Sequence, residues 1–183
     1  MDKFTQEYLD SFYRPYFEWD PIFKSGNLEI DEDRHTCTCK NLIQTGNQFK
    51  SVLGTEKFEL GQKYYFEVQM THGKNFKIGI ATRYSQMEQA FSDSIYGWAY
   101  YSGGQLRHNS GGDGAKYGEP YGQNAVIGVY VDMVVGRIFF SKDGRVFGSA
   151  FEEPKFLEME LYPACSCFNP GEQFQLKMLM PED

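Results

Sequence analysis

Residues 136–151 read "GRIFFSKDGRVFGSAF", and their interpretation decides the fold. Two apolar runs flank Asp143 and Gly144, residue types that tolerate the positive φ angles of a tight two-residue hairpin turn. Gly148 then gives the returning strand a place to bend, and Phe151 supplies a core anchor. The same chemistry extends outward. In "QKYYFEVQM", residues 62–70, Tyr64, Phe66, Val68 and Met70 alternate with Tyr65, Glu67 and Gln69, the period of a strand with one buried face. "NFKIGIAT" repeats it with Phe76, Ile78 and Ile80, and "NAVIGVYVDM" with Ile127, Val129 and Val131. "LYPACSCF" and "EQFQLKMLM" supply the last strands.

Many short strands with little helix predict an all-β chain folded as an antiparallel two-sheet sandwich. A length of 183 residues suits one domain, and with 41% apolar and 17% aromatic residues a core is readily built. Phe4, Tyr8, Leu9 and Phe12 fall at helical spacing before Pro15, so residues 3–13 are predicted to hold one short helix at most, capping the end of the domain, with a docking peptide for another protein as the alternative. The expected organisation is an N-terminal helical arm, residues 1–18, and a sandwich, residues 19–183.

With 25 acidic and 18 basic side chains the net charge is −7, a field that repels phosphate backbones and favours a neutral or basic protein partner over nucleic acid. The acidic start lacks a signal-peptide core and no long apolar run follows, so no membrane association is predicted and the chain is placed in the cytoplasm. The four cysteines form two C-x-C pairs, Cys37 with Cys39 and Cys165 with Cys167, each on one strand face. A thiolate zinc site or a cross-strand disulfide is conceivable, but zinc motifs usually place C-x-x-C at a turn, and core packing is the favoured reading.

Catalytic patterns are missing. No nucleophile elbow, zincin motif, P-loop or dinucleotide fingerprint occurs. Glu67 and Asp132 lack the acidic partner that a sandwich glycosidase needs, and each is predicted to be tied in a hydrogen bond or ion pair. His35, His72 and His108 show no ligand spacing, and His108 has no nucleophile to serve. Asp113 and Glu119 are too few for a calcium loop. No enzyme activity, cofactor or metal is predicted.

At this point a family resemblance enters. "YYFEVQM", "KIGIAT", "YGWAYYSGGQLRHN", the hairpin, and "LYPACS" resemble, in that order, the strands of a SPRY domain. Lys142, Asp143, Gly144, Gly148, Ala150 and Phe151 match the family's K-[ND]-G-x-x-x-G-x-A-F, and Trp19, Asp20 and Pro21 resemble its opening L-D-P with Trp in place of Leu. "HTCTCK" is similar to the early strand of SPRY domains in some tripartite-motif ubiquitin ligases. The resemblance implies a bent β-sandwich whose loops at one end hold short protein segments. It places Trp98 and Tyr100 in the core and makes a structural hydrogen bond the role of His108.

In SPRY proteins carrying a SOCS box, peptide contacts come from a segment after the early strand, the Thr ending "G-V-A-T", and a loop after "L-Y-P-A-V-S". Those places fall here on Asn41 and Leu42, on Thr82, and on Phe168, Asn169 and Gly171. Asn41 replaces the family's Pro and Asn169 its Trp, so the known Asn-rich peptide specificity is not expected to transfer. Arg83, Tyr84, Tyr101, Tyr117 and Tyr121 lie nearby and are residue types favoured as interface anchors. The expected function is a protein-interaction module, an adaptor or substrate receptor whose ubiquitin-ligase partner, if it has one, is a separate polypeptide. The alternatives are a structural subunit of a ciliary or cytoskeletal assembly and a carbohydrate-binding or glycan-processing sandwich.

Overall fold

The structure, a computed structural model, describes residues 4–40 and 48–178. In chain order they form α1 (Gln6–Asp10), β1 (Trp19–Lys24), β2 (Leu28–Ile30), β3 (Thr36–Cys39), β4 (Lys50–Gly54), β5 (Lys63–His72), β6 (Phe76–Ala81) and β7 (Gly97–Tyr101). Next come β8 (Gln105–Arg107), β9 (Val126–Asp132), β10 (Arg137–Lys142), β11 (Arg145–Glu152), a 3-10 turn (Pro154–Glu158), β12 (Tyr162–Cys167) and β13 (Gln173–Leu176). Antiparallel pairing builds a six-stranded sheet, β1-β4-β12-β6-β7-β8, and a seven-stranded sheet, β11-β10-β9-β5-β13-β3-β2.

The hairpin forms as predicted. Asp143 and Gly144 take φ of 49° and 85°, the paired positive angles of a type I′ turn, and the Asp143 carboxylate accepts from the Val126 amide at 2.9 Å. Phe139 pairs with Ser149 and Ser141 with Val146, so Phe147 and Gly148 share an extra residue in β11. That bulge is the bend predicted at Gly148.

Between the sheets, Tyr64, Phe66, Val68 and Met70, with Val129 of the neighbouring β9, meet Phe76, Ile78, Ile80, Trp98 and Tyr100 of the other sheet. Each such side chain contributes about 1.5–3 kcal/mol by leaving water. Trp19 is fully buried and sits edge-on to Phe174, with ring centroids 5.4 Å apart. Cys37, Cys39, Cys165 and Cys167 are free thiols inside this layer. Burial pushes the Cys37, Cys165 and Cys167 thiols up, whereas Cys39, beside Cys167 and near Lys50, is held below the usual thiol range. Among the described residues no three His, Cys, Asp or Glu side chains are grouped to hold a metal.

The arm holds the one short helix expected within residues 3–13. Thr5 caps α1 by accepting the Tyr8 amide at 3.1 Å, but the helix covers only Gln6–Asp10. The Tyr13 amide donates to Lys63 and the Tyr13 carbonyl accepts from Tyr65, so pairing with β5 ends the helix early. Phe4 and Tyr8 stack on Phe139, and Phe12 meets Phe139 and Tyr130 edge-on, on the outer face of the seven-stranded sheet. Tyr8 hydroxyl donates to buried Asp132 at 2.5 Å.

Candidate functional site

Strand register divides the predicted groove in two. In the β6–β12 pair, Cys167 lies opposite Phe76 at one end and Tyr162 opposite Ala81 at the other. Phe168, Asn169 and Gly171 therefore leave β12 at one end of the sandwich, while Thr82, Arg83 and Tyr84 leave β6 at the opposite end, about 20 Å away at ~3.3 Å per residue. A single short segment does not bridge both. Tyr101, ending β7, joins the Phe168 end, because it pairs with Lys77 near the start of β6. Asn41 and Leu42 lie outside the described residues. The strand before them ends at that same rim, where the Gly171 amide donates to the Cys39 carbonyl at 2.9 Å.

One carboxylate fixes the Phe168 rim. Glu172 is 4% exposed; its Oε1 accepts from the amides of Phe168 at 2.9 Å and Asn169 at 2.7 Å. Its Oε2 accepts from Lys74 and Asn75, both at 2.8 Å. One side chain thus ties the loop after β12 to the loop between β5 and β6. Gly73 makes room for it, since a Cβ there would stand 2.4 Å from Glu172 Cγ, at a φ of +101° that side chains rarely adopt. Charge-assisted bonds to backbone amides are among the stronger ones, so this carboxylate holds the two loops together.

On this rim the Phe168 ring lies 5.0 Å from Phe49, and Phe49 lies 6.4 Å from Tyr101. Cations sit behind the rings. Lys77 Nζ is 4.3 Å from the Phe49 centroid and 5.6 Å from Tyr101, and the Arg107 guanidinium is 4.7 Å from Tyr101. Lys50 Nζ donates to the Phe168 carbonyl at 2.9 Å. Lys77 is 1% exposed, and burial holds its ammonium below the usual lysine range against the opposing pull of Asp93 at 3.6 Å. Phe49, Lys50, Lys77 and Glu172 were not singled out from the sequence. The only local signal was a Lys inside each of two otherwise apolar strands.

Tyr117 and Tyr121 have their hydroxyls turned to the chain's own backbone. Tyr121 is 6% exposed and its hydroxyl donates to the Tyr100 carbonyl at 2.6 Å. Tyr117 services the β11 bulge: its hydroxyl donates to the Gly148 carbonyl at 2.6 Å and accepts the Phe140 amide at 3.1 Å. Bulges leave ladder groups unpaired, and this phenol pairs one from each strand. Burial pushes both phenols up.

At the opposite end, Thr82, Arg83, Tyr84, Tyr96, Tyr162 and the segment Glu158–Glu160 line a cleft of about 590 Å³. Arg83 does not reach into it freely, because its guanidinium lies 4.4 Å from both the Phe23 and Tyr162 ring centroids and 3.9 Å from Asp20. Tyr84 is 77% exposed on a turn pinned by Thr82, whose hydroxyl accepts the Tyr84 amide at 3.2 Å.

Several of the acids and histidines weighed for chemistry are engaged elsewhere. Glu67 pairs with Arg14 at 2.5 Å and accepts from Tyr65 at 2.8 Å. Asp132 accepts from Tyr8 and from the Val134 amide at 2.9 Å. The His108 ring stacks on Trp98 at 4.5 Å and its Nδ1 contacts the Gly97 carbonyl at 2.8 Å, the structural role expected for it. His72 contacts Gln173, and Glu119 is ion-paired with Lys142 and Arg145. Among the described residues no helix is long and apolar enough to cross a membrane.

Two packed antiparallel sheets with a locked loop rim define a β-sandwich of SPRY type. The SPRY domain family matches residues 63–179, well over half of the sequence, and the chain belongs to that family. SPRY domains are generally protein–protein interaction modules and typically non-catalytic. Among solved structures, the SPRY domain of human HERC1 superposes with a TM-score of 0.73 at 19% identity, covering 90% of this chain and 99% of that one. The TRIM65 PSpry domain gives 0.70 at 13% identity, covering 91% and 94%. Both include the early strands that precede the family match. Among curated proteins, the Ran-binding proteins 9/10 homolog of Drosophila melanogaster is 31% identical over 116 residues, 60% of this chain and 11% of the relative. The probable ATP-dependent RNA helicase ddx1 of Dictyostelium discoideum is 28% identical over 124 residues, 67% of this chain and 16% of that protein. The chain thus corresponds to a small part of each of these relatives.

Proposed function

We propose that the chain is a non-catalytic adaptor or substrate receptor that holds a segment of a partner protein on the Phe168 rim. The observation that carries this reading is Glu172, which binds four amides of two loops and so presents Phe168 and Asn169 in a fixed arrangement. A preorganised rim loses little conformational entropy on binding, and its exposed ring edges with cations behind them suit a segment offering apolar and acceptor groups. Tyr101, Phe168, Asn169 and Gly171 are the contact residues in this account. Asn41 and Leu42, which follow β3 in the sequence, are included in the proposal from the family resemblance alone.

In this reading residues 1–18 are an arm and residues 19–183 the binding domain. The arm's rings are turned onto the chain's own sheet, which weighs against a structural subunit anchored through them. The SPRY neighbours HERC1 and TRIM65 make a ubiquitin-ligase setting a reasonable place to look for partners, in the cytoplasm or at the cytoskeleton or a cilium. Proximity labelling in the native cell followed by pull-down with purified chain tests the reading. Partners captured by the parent are expected to be lost with Phe168→Ala combined with Tyr101→Ala. Retention of the same partners by that folded variant would refute the rim as the site.

A further inference from the structure

We propose that the cleft at the Thr82 end is a second docking surface, taking a partner segment that presents a Lys or Arg side chain on an aliphatic stem. The cleft, about 590 Å³, is separate from the Phe168 rim by the length of β6 and β12. On one wall the Tyr84 and Tyr96 rings stand 5.6 Å apart at 42°, with Tyr84 77% exposed. Met159, Glu158 and Glu160 line the same cleft.

Charge identifies the occupant. Among the described residues Glu158 has no salt-bridge partner, and Glu160 has only an exposed contact with Lys57 at 3.4 Å, which water and salt screen readily. Arg83 also lines the cleft, but its carboxylate contact is Asp20 at 3.9 Å, and it forms no salt bridge with Glu158 or Glu160. Ring faces are electron-rich and draw cations, while the stem of a Lys or Arg covers apolar surface and leaves its head for a carboxylate. An acidic segment would meet the two glutamates and a chain carrying a net −7.

The probes are a short fluorescein-labelled peptide of alternating Arg and Leu, and the same peptide with neutral citrulline at every Arg. Fluorescence anisotropy on the full chain is expected to show the Arg peptide binding at least about tenfold more tightly, equal to ~1.4 kcal/mol. Tyr84→Ala should weaken it about tenfold. Glu158→Lys with Glu160→Lys should abolish it and favour a Glu–Leu peptide instead. Tyr84, Glu158 and Glu160 are surface residues, and thermal melts confirm that the variants fold. Equal affinity for the Arg and citrulline peptides, or no binding of either, would overturn the proposal. So would loss of the Arg peptide with Phe168→Ala but not with Tyr84→Ala, which would put the basic segment on the rim.

Discussion

Replacing Glu172 by Gln tests how the rim is held, because the change keeps the shape and alters only charge and one acceptor. The parent carboxylate accepts four amides at 2.7–2.9 Å. A Gln carbonyl can keep one pair of these, whereas its amino group faces the other pair donor to donor. Two part-buried amides then lose their acceptor, at up to about 1–3 kcal/mol each, and the surviving two lose charge assistance. Some relaxation towards water lowers the sum, leaving an expected loss of ~2–4 kcal/mol. For a chain of this size that corresponds to a fall in melting temperature of about 5–15 °C. Urea unfolding measures the loss, and hydrogen exchange locates it at the amides of Lys74, Asn75, Phe168 and Asn169. A variant within about 0.5 kcal/mol of the parent, with those four amides still protected, would refute the clamp.

Tyr117→Phe removes only the hydroxyl that satisfies the Gly148 carbonyl and the Phe140 amide, so urea unfolding should show a loss of about 1–3 kcal/mol; no loss would mean the bulge is satisfied otherwise. The Tyr8 phenol is pushed up to about 12, first by burial and then by Asp132, against an ordinary value of 10.0. It ionises more readily in the unfolded chain, so its contribution is full below pH 10 and is lost as pH rises from 10 towards 12. Stability of the parent should therefore fall more steeply across that window than stability of Tyr8→Phe. Parallel curves would contradict the Tyr8–Asp132 contact. Phe12→Ala should free the arm, read as faster proteolysis after Arg14 with the sandwich intact; unchanged cleavage would show the arm is held elsewhere.

The hairpin was legible because its determinants are local: Asp143 and Gly144 set the turn without help from distant residues. The β5 alternation was equally plain, since Tyr64, Phe66, Val68 and Met70 read their burial from a period of two. Thr82 and Phe168 were harder, because which strand ends coincide depends on the antiparallel pairing of β6 with β12, elements far apart in sequence. Glu172 gave no local sign of its role, as two of its four bonds reach back to Lys74 and Asn75. Tyr117 looked like an exposed loop anchor by composition, and the bulge opposite it explains why its hydroxyl turns inward. The short α1 shows a helical period yielding to strand-like pairing once Tyr13 finds Lys63 and Tyr65.

Hydrogen exchange on the chain, alone and saturated with a partner captured from its native cell, examines the interaction surface itself. Slowed exchange concentrated in residues 48–50, 73–75, 101–104 and 168–172 is the predicted footprint. A footprint confined to the arm and the outer face of the seven-stranded sheet, with those segments unchanged, would contradict the assignment of the rim.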